Sequence, residues 1–195
     1  MAYLVPSEFV TKMVDAGESK IYMSTRDTLI RAYMAGAILA LAAVFAVTAT
    51  VMSGSALVGA ILFPVGFCML YLLGFDLLTG VFVLTPLAWL DKRPGVTIKG
   101  ILRNWGLVFT GNYLSALTLA FMMSFIFTYG FSVAPNEIGT KIGHIGEART
   151  LGYAQYGLMG WLTIFIRAML CNCMWSKKIK DEIKYTTDKH KDITM

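Results

Sequence analysis

The chain has 195 residues, 56% of them hydrophobic and only 15% charged, with a formal charge of +5. It is too apolar and too weakly charged for an ordinary soluble domain, in which about a quarter of residues are charged. Its basic residues sit at the ends of apolar blocks and are not interleaved with base-stacking aromatics, so the charge does not point to nucleic acid.

Residues 1–25 read as an N-terminal amphipathic helix and the approach to a membrane. Pro6-Ser7-Glu8 is a helix start, Phe9, Val10, Met13 and Val14 share a face, and Gly17 marks the end. Met1 to Ser7 lack the basic stretch and apolar core of a cleavable signal peptide. Residues 26–175 read as a transmembrane domain. Its first span covers about 28–52, with Gly36, Ala40 and Ala43 available for close helix packing. The second covers 56–90, is bendable at Pro64 and Gly66, and is broken at 74–80. The third covers 105–131, with Asn104, Gly111 and Asn112 near its start. A polar, glycine-rich loop, Ser132 to Gly146, leads to a fourth span over 148–174, and residues 176–195 form a polar tail. Lysine and arginine cluster before the first span, between the second and third, and in the tail, which places both termini in the cytoplasm.

The break, Gly74-Phe75-Asp76-Leu77-Leu78-Thr79-Gly80, is the candidate site. Irregular backbone at membrane depth persists only where protein buries it or where it lines a polar cavity. Transporters place their substrate path at discontinuous helices of this kind. Asp76 is the only acidic residue between Asp27 and Asp91. It either ties down the backbone at the break, accepting from N–H groups where the helix resumes, or contacts the ion. Thr79 either caps that half-helix or holds a small anion at its positive end. Phe63, Phe67 and Leu77 read first as packing. The sequence shows no catalytic set, no metal-ligand spacing and no cofactor motif, so an enzyme is not expected. Cys68, Cys171 and Cys173 fit no zinc pattern and read as buried thiols.

Four stretches occur in order: Gly74-Phe75-Asp76-Leu77-Leu78-Thr79, Arg103-Asn104-Trp105, Gly111-Asn112 and Leu170-Cys171-Asn172. Together they resemble the formate/nitrite transporter family over roughly Ala16 to Asn172. The resemblance implies an all-α integral membrane bundle of aquaporin-like fold with a broken second helix, assembled as a pentamer in lipid. It implies passage of small monovalent weak-acid anions such as formate or nitrite, with or without proton coupling. In the family's terms, Thr79 lies on the pore and Leu77 forms one constriction. Phe63 and Phe67 form its other side, Asn172 lines the pore, and Lys20 draws anions in. Gly74, Asp76 and Gly80 shape the break. A multi-pass protein of a bacterial inner (plasma) membrane follows from the same resemblance.

The resemblance reaches the first four of the family's six helices. The fifth, with its G-F-E-H-S stretch, has no counterpart here, and neither His144 nor His190 matches that histidine. The chain is therefore expected to lack the last two helices. The alternative function is a non-transporting truncated component, or one part of a split transporter.

Overall fold

The computed structural model describes residues 6–169. They form α1 (Pro6–Tyr22), α2 (Thr25–Ser53), α3 (Ala56–Leu62), α4 (Pro64–Leu73) and α5 (Leu78–Leu90). These are followed by α6 (Ile98–Phe127), α7 (Glu137–Arg149), α8 (Leu151–Ala154) and α9 (Gly157–Met169). No strand occurs among the described residues.

The long helices start where their caps dictate. The Ser24 side chain accepts from the Asp27 N–H at 3.1 Å, and the Thr97 hydroxyl accepts from the Gly100 N–H at 3.1 Å. α2, with 29 residues, ends at Gly54, whose φ of 66° closes the helix in the left-handed region. At 1.5 Å per residue it is about 44 Å long, more than the roughly 30 Å of a bilayer's hydrocarbon core. Three described segments, α2, α3 with α4, and α6, are long and apolar enough to cross a membrane. Most of their surface faces outward, as a bundle solvated by lipid requires.

α2 and α6 form the centre. Ala32, Ala35 and Gly36 face Val108, Gly111 and Ser115, all buried. A Cβ at Gly111 would lie 2.6 Å from the Ala32 Cβ, and one at Gly36 would lie 2.0 Å from the Ser115 hydroxyl. Backbone approach of this kind replaces hydrophobic driving force where the solvent is itself apolar. The break between α3 and α4 falls at Phe63, because Pro64 has no N–H to continue the helical ladder.

Several expectations change on contact with the structure. α1 does not stop at Gly17 but continues to Tyr22. The glycine is there for proximity: a Cβ would lie 2.0 Å from the Leu84 carbonyl of α5. Val10, Met13 and Val14 then bury against Leu87, and Arg93 pairs with Asp15 at 2.8 Å and Glu18 at 3.6 Å. Phe9, expected on that same face, is exposed.

Most of the polar segment expected as a loop is α7. Asn136 caps it by accepting from the Gly139 N–H at 2.9 Å, Glu137 occupies its first turn, and Ile138, Ile142 and Ile145 recur on one half-buried face. Thr150 ends α7, so the fourth apolar segment is not one helix from 148 but begins as α8, turns at Gly157 (φ 53°) and resumes as α9. Lastly, Cys68 is exposed on α4 rather than buried, while Cys171 and Cys173 lie outside the described residues.

Candidate functional site

The break is built by a stop and a restart. α4 stops at Gly74, whose φ of 68° lets its N–H reach the Leu70 and Tyr71 carbonyls, and the Phe75 N–H reaches Leu70 as well, at 3.0 Å. Phe75, Asp76 and Leu77 are unwound. α5 restarts at Leu78 with Leu77 as its N-cap and no side-chain cap from within the segment. The sequence placed the restart at Val81, three residues later. Asn112 of α6 makes the difference, because its Oδ1 accepts from the Leu78 N–H at 2.9 Å. Thr79 thus sits inside the first turn of α5, with its side chain exposed, rather than capping it.

Asn112 does more than cap. Its Nδ2 donates to the Asp76 carbonyl at 3.0 Å and to the Ala32 carbonyl at 2.7 Å. One amide therefore ties α2, the unwound backbone and the start of α5 to α6. From the sequence, Asn112 stands near the start of the third span, with no place assigned to it at the break. Its neighbour Gly111 was the available signal, since a helix position without a side chain is where another backbone comes close. Below the clamp, the Trp105 indole donates to the Val81 carbonyl at 3.2 Å and to the Thr85 hydroxyl at 3.0 Å. The Trp105 ring meets Phe82 edge to face, with centroids 4.6 Å apart.

The electrostatics of the break rest on two long-range partners. The Lys20 ammonium forms an ion pair with Asp76 Oδ1, and the carboxylate side chain is 1% exposed, the lysine 13%. Asp76 therefore does not accept from the restarting helix. Its side chain holds the end of α1, and only its backbone carbonyl is engaged by Asn112. Asn104 donates to the Lys20 carbonyl at 3.1 Å, which ties the last turn of α1 to α6. Among the described residues, Asp76 Oδ2 and Asn104 Oδ1 are buried without a hydrogen-bond partner. Arg31 of α2 reaches the break from the other side, Nη1 donating to the Gly74 carbonyl at 3.3 Å.

Of the residues singled out by sequence, Lys20, Gly74, Asp76, Leu77, Thr79 and Gly80 meet in this one region. Phe63 and Phe67 form an edge-to-face pair with centroids 5.4 Å apart. At 1.5 Å per residue they lie about 16 and 10 Å before Gly74 along the helix, a separate level of the same segment. Asn172 lies outside the described residues. Among the described residues, no three His, Cys, Asp or Glu side chains gather as metal ligands.

An apolar helical bundle with one helix broken, clamped and charge-paired at the break has the architecture of a membrane transporter or channel. The chain belongs to the formate/nitrite transporter family: the family's model, described as "Formate/nitrite transporter", matches residues 7–177. It is therefore an all-α integral membrane protein of a transporter family, not an enzyme. It is 28% identical over 179 residues to the uncharacterized transporter YrhG of Bacillus subtilis (strain 168), covering 88% of this chain and 62% of the relative. It is 33% identical over 148 residues to the formate channel FocA of Haemophilus influenzae, covering 72% and 47%. Against a probable formate transporter of Methanothermobacter thermautotrophicus it is 30% identical over 117 residues, covering 56% and 41%. The chain thus spans about half the length of the relatives it matches.

Proposed function

We propose that this protein passes small monovalent weak-acid anions, formate or nitrite among them, along a path that runs by the α4–α5 break. The observation that carries the reading is the break itself, unwound over Phe75 to Leu77 yet held by Asn112 and by the partly buried Lys20–Asp76 pair. A spanning helix interrupted in this way supplies what a bare anion lacks in hydrocarbon: backbone N–H groups, a positive helix end and nearby cationic charge. Lys20 and Asp76 largely balance each other, so the carboxylate does not repel the passing anion. Thr79, exposed in the first turn of α5, offers a hydroxyl to it. Leu77 forms a constriction at the same level, and Phe63 with Phe67 forms another further along the segment. Between them, taking up a proton neutralises a weak acid and removes most of the desolvation cost.

In the same reading the protein works as a pentamer, in a bacterial plasma membrane with both termini cytoplasmic, and Asn172 lines the path. The relatives named as a formate channel and a probable formate transporter support formate as the first substrate to try.

The test is uptake of isotopically labelled formate into proteoliposomes. Uptake is expected to saturate and to rise with an inward proton gradient. Thr79→Trp is expected to cut it at least about tenfold, equivalent to about 1.4 kcal/mol on the barrier. Uptake no faster than in protein-free liposomes would sink the reading. So would full uptake by Thr79→Trp, since a ring that size in the path cannot leave the flux unchanged.

A further inference from the structure

The charges around the break do not balance. Lys20 is matched by Asp76, and Arg93, further down, is matched by Asp15, Glu18 and Asp91. Arg31 touches the break and, among the described residues, forms no ion pair. Among the described residues its one hydrogen bond runs to the Gly74 carbonyl over a long 3.3 Å, which leaves most of a five-donor planar fork unengaged there. With Lys20 and Asp76 cancelling, Arg31 gives the break a net positive charge. Its position limits what it faces. Six residues into α2, it stands about 9 Å along the helix from Thr25, near the edge of the hydrocarbon layer. An exposed guanidinium there faces headgroups or a polar cavity, not acyl chains. The contact with Gly74 turns it toward the break.

A simpler role exists: a cation at the end of α4 offsets the negative end of that helix. One N–H suffices for that role and leaves the rest of the fork unexplained. We propose that Arg31 is the docking cation of the break, holding a small planar oxyanion, a carboxylate or nitrite, in a bidentate grip beside Gly74. This deepens the transport reading and rests on it for the anion's onward path. The docking step itself is a binding equilibrium that is read without flux.

The probe is 13C-formate, its NMR linewidth followed with the full chain in an uncharged detergent. Wild type is expected to broaden the signal saturably, and Arg31→Gln is expected to weaken binding at least about tenfold, the loss of a bidentate charged pair. Arg31→Lys keeps the charge but not the fork, and is expected to bind several-fold less tightly than wild type. Arg26→Gln, five residues earlier on α2 and so about 140° round the helix from Arg31, is expected to bind as wild type.

Undiminished broadening by Arg31→Gln overturns the inference. Equal losses in Arg31→Gln and Arg26→Gln also overturn it, because they would report surface charge in general. If added phosphatidylglycerol abolishes the wild-type signal, a lipid phosphate occupies the guanidinium and the docking role falls. Should Arg31→Gln not fold, Arg31→Lys decides, since wild-type affinity there contradicts the bidentate grip. Arg31-dependent binding without flux would sink the transport reading alone. Flux with Arg31-independent binding would sink the docking role alone.

Discussion

Asn112→Leu is expected to abolish formate uptake and to lower the thermal unfolding midpoint of the purified protein sharply. Leucine keeps the branched shape of asparagine but neither its acceptor nor its donors. The Leu78 N–H then loses its acceptor, and the Asp76 carbonyl loses its donor. The Ala32 carbonyl is less affected, because it lies within α2 and keeps its helical partner. Each orphaned backbone group that water does not reach costs about 1–3 kcal/mol, so two of them consume a large part of a typical folding free energy. The break has little else to fall back on, since Leu77 provides no side-chain cap. Circular-dichroism melting in detergent and uptake in proteoliposomes check the two halves of the expectation. An unchanged midpoint with unchanged uptake would mean that the break holds itself, and that the clamp is incidental.

The second large effect concerns the Lys20–Asp76 pair. Removing one member leaves the other charge buried without its counter-ion, which typically costs about 3–5 kcal/mol. Lys20→Met strands a carboxylate whose side chain is 1% exposed. Asp76→Asn strands the ammonium and frees the end of α1. Removing both charges avoids that penalty, because replacing a whole buried pair with uncharged groups is often close to neutral. The double variant Lys20→Met with Asp76→Asn is therefore expected to melt higher than either single variant. Its losses should fall well short of their sum, the signature of direct coupling. Additive losses would show that the two side chains do not depend on each other.

Much of the fold was legible because membrane solvation writes it into composition. Apolar blocks of spanning length, lysine and arginine at their ends, and a carboxylate with two glycines inside one block mark the spans and the break directly. The partners at the break were less legible. Lys20 and Asp76 are 56 residues apart, and Leu78 and Asn112 are 34 apart. Nothing local says that α1 and α6 converge there. Gly17 misled because a glycine after an amphipathic run reads as a helix stop, whereas here it admits the Leu84 carbonyl. Gly139, Gly143 and Gly146 hid α7 in the same way, outweighing the Asn136 cap and the isoleucine periodicity. Arg31 was read only as one of the charges that set orientation. Its distinction appears only once Lys20 is seen to be paired and Gly74 is seen to lie within its reach.

Passage along this path requires the break to be open to anions from water. The most direct measurement places a thiol there: Thr79→Cys in a background where Cys68, Cys171 and Cys173 are replaced by serine. A negatively charged, membrane-impermeant thiosulfonate is applied to the protein in proteoliposomes. The thiol at this position is expected to be modified, at a rate that formate slows in a concentration-dependent way and gluconate does not. A thiol that stays unmodified, or one that reacts at the same rate with and without formate, would contradict passage along this path.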